Sequence, residues 1–149
     1  MLNHSGSHDT LREGVTLGLV VASSTWAYLA VVDAVVGEPF RTFTVLGGIA
    51  LFTVVHYVLN LAYGVAMVSG IHGAVREPSL SSAVVFGFLI VEIGFAMATV
   101  LLLHLGLGAL AWVRILGGSL FGAAITIAIL AWRHPLAAVL RAADKAGTN

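Results

Sequence analysis

The chain has 149 residues, of which 59% are apolar and only 9% charged, and its mean hydropathy is +1.02. Water-soluble domains carry about a quarter charged residues, so this composition excludes an ordinary soluble globule. Seven acids balance seven bases and cysteine is absent. That leaves no footing for nucleic acid and none for disulfide, thiolate or iron–sulfur chemistry.

Taken in chain order, the apolar residues fall into four runs. Each is long enough to cross the hydrocarbon as a helix, which satisfies its own backbone where no water can. The first dozen residues do not resemble a cleaved signal peptide, since the n-region is only weakly basic and no A-x-A site follows the first apolar run. Thr10 and Glu13 have capping-box spacing, which predicts a helix start there. The first span covers about residues 14–36 and carries Asp33. Gly37-Glu38-Pro39 ends it, because proline supplies no N–H and disfavours helix at the residue before it. The second span covers about 44–69, with His56 and Asn60 inside it. Arg76-Glu77-Pro78-Ser79 follows, and Ser79 is the expected N-cap of the third span, about 80–103, which holds Glu92. The apolar, glycine-rich Gly106-Leu107-Gly108-Ala109 breaks the chain again. The fourth span, about 113–132, has only Ser119 and Thr126 as polar interruptions beyond Arg114 at its edge and closes at His134-Pro135. Leu136, Val139, Leu140 and Ala143 then share one helical face, the pattern of a short interfacial C-terminal helix. No internal repeat supports an inverted-repeat transporter.

The expected fold is therefore an all-α, four-helix transmembrane bundle forming one membrane domain. Four spans put both ends and the middle loop on one side, with Arg12, Arg76, Arg133, Arg141 and Lys145, against Arg41 and Arg114 on the other. This bias predicts both termini in the cytoplasm and a multi-pass protein of a bacterial inner membrane. Trp112 and Trp132 flank the fourth span, where amphipathic rings favour the interface.

Ionisable groups within a span cost roughly 2.5–3.5 kcal/mol each on insertion scales, so each needs a partner or a purpose. Counted from the predicted span starts, His56 and Glu92 lie at similar depth. Asn60 is one turn from His56, and Tyr63 and Met67 extend the stripe. A His56–Asn60–Glu92 cluster is expected. It admits two readings: a hydrogen-bonded lock between helices, or a proton relay or quinone site. Asp33 and His104 form a second candidate pair near the outer ends of their spans, with Arg41 an alternative partner for Asp33. Bis-histidine haem ligation needs two imidazoles at one depth. His56 and His104 stand about 18 Å apart along the normal, and His72 and His134 match only at the membrane edge. No metal motif is present, so no cofactor is assigned, with haem or quinone kept as alternatives.

Gly14 with Gly18, and Gly118 with Gly122, have the small-x-x-x-small spacing that lets helices approach closely, and Ala62 with Ala66 and Ala30 with Ala34 repeat it. The fourth span, nearly devoid of polar atoms, is expected to face lipid or a partner.

Trp26, Asp33, Gly37-Glu38-Pro39, Thr42, a mid-span His56 and the closing Trp132-Arg133-His134-Pro135 resemble small four-span membrane proteins of bacterial genomes. The resemblance implies architecture and carries no activity. The absence of catalytic motifs and of any soluble domain points to a non-catalytic accessory or scaffold subunit. Its expected host is a larger inner-membrane complex, respiratory or photosynthetic, and its partners are lipid and other membrane subunits. A small haem- or quinone-binding redox subunit and a small proton-coupled transporter or channel are the alternatives.

Overall fold

The computed structural model describes residues 5–77 and 79–133, with side chains from Asp9 onward. The expected C-terminal helix and the His134-Pro135 stop lie outside these residues. Helix α1 spans Ser5–Val35, α2 Arg41–Val45, α3 Ile49–Arg76, α4 Leu80–Leu102 and α5 Gly117–Arg133. Among the described residues there is no strand. Four helical stretches are long and apolar enough to cross a membrane: Asp9–Val35, Ile49–Arg76, Leu80–Leu110 and Trp112–Arg133.

Each turn has a local cause. At the end of α1, Glu38 N–H reaches Asp33 O at 2.9 Å and Gly37 N–H reaches Ala34 O at 3.1 Å. Gly37 adopts φ +78°. This is a Schellman motif, closing the last carbonyls of the helix with a left-handed glycine. Between α4 and α5 the chain never becomes a plain loop. π-helical turns at Leu103–Leu107 and Trp112–Leu116 bracket a 3-10 turn at Gly108–Leu110. The reversal happens at Gly106, whose φ of +124° lies where an L side chain is strained.

Two expected caps do not form. Helix α1 starts at Ser5, ahead of Thr10, and the Thr10 hydroxyl hydrogen-bonds His72 Nδ1 at 2.8 Å, a tertiary partner on α3. Ser79 caps nothing and donates its hydroxyl to Glu77 Oε1 at 3.1 Å.

Helix α1 is the centre of the packing, with α3 and α5 against it and α4 on the outside of those two. The α1–α3 contact is made by backbone. A methyl added at Gly14 would stand 2.5 Å from Val65 Cα, and one at Gly64 would stand 2.6 Å from Gly18 N. Across α1 and α5, Gly118 receives Leu29 and Tyr28, and Gly122 receives Thr25 and Val21. The two glycine pairs thus pack inside the bundle, whereas Ala34, Ala62 and Ala66 face outward. The apolar core joins Leu17, Val21, Val68, Ile71 and Leu130 from all three helices.

The fourth span is not the outward one. A third of its most apolar window (33%) is buried inside the fold, against 6% for the second and third spans. Its scarcity of polar atoms suits a core position beside α1 as well as it suits lipid. Glu13 of α1 and Arg133 of α5 approach to 3.9 Å, so the start of α1 and the end of α5 share one end of the bundle (the termini end).

Candidate functional site

At the opposite end of the bundle, Asp33 is wholly buried. Its Oδ2 accepts Thr42 N–H at 2.7 Å and its Oδ1 accepts the Thr42 hydroxyl at 2.7 Å. Phe40 precedes α2 in a left-handed conformation and offers no cap of its own, so Asp33 of α1 supplies the cap that α2 lacks. Arg114, also buried, brings Nε to 2.8 Å from Asp33 Oδ1 and an Nη to 2.6 Å from Glu38 Oε2. The Nε approach is a charge contact rather than a well-directed hydrogen bond. Arg41 donates to Gly106 O at 3.1 Å, linking the first turn to the last. Nearby, Tyr28 donates its hydroxyl to Val113 O at 2.9 Å, a carbonyl in the π-helical turn. Together these contacts tie α1, α2 and the irregular turns between α4 and α5 into one knot.

The expected Asp33–His104 pair is not made. Asp33 is saturated by Thr42 and Arg114, and His104 is exposed on the turn after α4. Arg41 is spent on Gly106 O. Glu38, half-exposed, has its carboxyl held below the ordinary value of 4.5, first by its hydrogen bond to Arg114 and then by the charges of Arg114 and Arg41, against some desolvation. A lowered pKa stabilises the fold above the ordinary carboxylate range. That contribution is complete at neutral pH and disappears as acid carries the pH down through the lowered value.

His56 and Asn60 do meet, but Glu92 is not with them. His56 Nε2 lies 3.0 Å from Ala22 O, and a carbonyl only accepts, so Nε2 carries the proton. That leaves Nδ1 to accept from Asn60 Nδ2 at 3.4 Å, while the same amide donates to His56 O at 2.8 Å. The ring stacks on Phe52, centroids 5.1 Å apart. The Trp26 indole donates to Thr53 at 3.0 Å, and Ser23 and Tyr57 share a hydrogen bond of 3.0 Å. These polar contacts, with the His56–Ala22 bond, join α1 to α3.

Glu92 accepts the Ser119 hydroxyl at 2.8 Å. Tyr63 of α3 stands beside Thr126, whose hydroxyl donates to Gly122 O at 2.9 Å, and lies within electrostatic reach of Glu92. The reason for the separation is depth. Helix α3 starts only at Ile49, after α2 and the Gly47-Gly48 turn, and runs on to Arg76, so His56 lies 20 residues from its end, while Glu92 is 12 from the start of α4. About 12 Å of helix axis therefore stands between them. Tyr63 is the residue of α3 at Glu92's level.

The imidazole of His56 has both nitrogens engaged by protein. A haem iron or other axial metal would have to displace Ala22 O or Asn60, so the site does not fit one. Among the described residues no three histidines or carboxylates converge on a metal position. Sequence reasoning missed Arg114, Thr42 and Ser119. Arg114 could have been found as the one cation just inside a span boundary, at the same end as Asp33.

Comparison with known protein families, with curated proteins and with solved structures finds no match.

Proposed function

We propose that this chain is a non-catalytic accessory or scaffold subunit of a larger membrane assembly. The expected host is an energy-transducing complex of a bacterial inner membrane, with the termini end on the cytoplasmic side. The observation that carries the reading is the outward surface of the second and third spans, of whose windows only 6% is buried internally. Phe86, 65% exposed, and Met97, 70% exposed, stand on α4. His56 and Asp33 are meanwhile consumed in holding helices together, as a lock requires. The test is native purification in mild detergent, with a photo-crosslinking residue at Phe86 or Met97 followed by mass spectrometry. Crosslinks to other membrane subunits are expected. A partner-free monomer or homodimer overturns the reading.

One observation favours a second reading, a small proton-coupled transporter. Glu92, Ser119, Tyr63 and Thr126 form a polar group where α3, α4 and α5 meet. If Glu92 only accepts the Ser119 hydroxyl, Glu92→Gln keeps that bond and leaves assembly and stability essentially unchanged. Proton-dependent flux in liposomes that the same substitution abolishes would make the transporter reading the correct one.

A further inference from the structure

At the termini end two hollows meet between α1 and α5. The first, about 430 Å³, is lined by Asp9, Arg12, Glu13, Thr16 and Arg133. The second, about 210 Å³, runs from Thr16 and Arg133, which it shares with the first, along Leu17, Val20, Ile129 and Trp132. A charged mouth thus opens into an apolar groove on the side of the molecule that hydrocarbon would bathe.

The geometry points to a bound glycerophospholipid whose zwitterionic headgroup ends in a primary ammonium. Its phosphate sits on Arg12 and Arg133, its ammonium on Asp9 and Glu13, and one acyl chain starts down the groove. The charges set this choice. Two guanidiniums and two carboxylates line one hollow, complementary to a head with one charge of each sign and indifferent to a purely anionic one. Guanidinium is the side chain best shaped for phosphate oxygens. The side chains of Asp9 and Arg12 have no hydrogen-bond or ion-pair partner among the described residues. Among the described residues Arg133 has only the long 3.9 Å contact with Glu13, which His72 Nε2 also approaches at 3.6 Å. A primary ammonium brings three N–H donors to carboxylates, whereas a choline head brings none. Trp132, 85% exposed at the rim, stands where the glycerol level of a bilayer would place an indole. The inference rests on the four helices spanning a membrane and is independent of any accessory role.

The test is native mass spectrometry of the full chain in detergent, offered equimolar phosphatidylethanolamine, phosphatidylcholine and phosphatidylglycerol. Retention of the ethanolamine lipid about tenfold over either of the others is expected, the scale of one well-made charged contact. Asp9→Asn, at an exposed position, should bring that preference down towards the choline lipid. The double variant Arg12→Gln/Arg133→Gln should lose all three, with helicity by circular dichroism unchanged. Equal retention of the three lipids, a preference for the glycerol lipid, or indifference to all these substitutions overturns the site. A chain that stays dispersed in buffer without detergent would instead overturn the membrane reading itself.

Discussion

Arg114→Met is expected to destabilise the fold by about 3–5 kcal/mol, the cost of leaving a buried charge without its partner. Asp33 is 0% exposed, so no water replaces the guanidinium. Its two contacts from Thr42 are hydrogen bonds and bring no opposite charge. Arg114→Lys should rescue little, since one ammonium cannot span both carboxylates as the planar fork does. The informative control is the double variant Arg114→Met/Asp33→Asn. Removing both charges together commonly costs far less than removing one, so most of the stability should return. Glu38→Gln should cost little, because that side chain is 51% exposed and solvent screens its pairing. The measurement is unfolding by denaturing detergent, followed by circular dichroism in a fixed lipid–detergent mixture. A double variant as unstable as Arg114→Met alone would show that shape, not charge, sets the effect.

Gly64→Val is expected to be comparably damaging. The added Cβ would stand 2.6 Å from Gly18 N and 2.9 Å from Gly18 Cα. These are backbone atoms that no rotamer change can move. Helices α1 and α3 would have to part, and overpacking of that kind costs about 1–3 kcal/mol or more. The cross-helix bonds from Trp26 to Thr53 and from His56 to Ala22 would lengthen with them. Two other glycines calibrate the measurement. Gly122→Ala meets Thr25 Oγ1 at 3.0 Å and Val21 Cγ1 at 3.4 Å, side-chain atoms that can give way. Gly87→Ala meets nothing within 4 Å and should hold or gain stability through helix propensity. The same detergent titration ranks the three. Gly64→Val matching Gly87→Ala would mean the two helices do not approach as closely as the backbone contacts require.

Much of the architecture was legible because lipid imposes a coarse rule: twenty or so apolar residues make a span, and proline or glycine ends it. Gly14, Gly18, Gly118 and Gly122 were visible for a related reason, since only small residues let helices touch in the absence of a hydrophobic drive. The polar partnerships were not, because each depends on a register that spacing does not give. Counting the second span from about 44 lifted His56 to Glu92's level. Helix α3 instead starts past the positive-φ Gly47 and Gly48 and runs on to Arg76, which moves it away again. Asp33 was visible only as an acid near the outer end of its span, because its partner comes from 81 residues further along the chain and is brought in by an irregular π-helical turn. Gly118 and Gly122 marked the inward face of the fourth span, which Thr126 and Leu130 continue, but that this face meets α1 and not a partner depended on where α1 stands.

The central place of α1 also bears on how the molecule is made. Helix α1 is made before both helices that close on it, so its glycine face can mate with α3 while α5 is still within the ribosome. Helix α4 then passes outside the finished pair, and the Arg114 knot closes only when the start of the fourth span arrives. Truncation before that residue should therefore leave Asp33 stranded at the far end of an otherwise formed hairpin, a marker of incomplete chains for quality control to read.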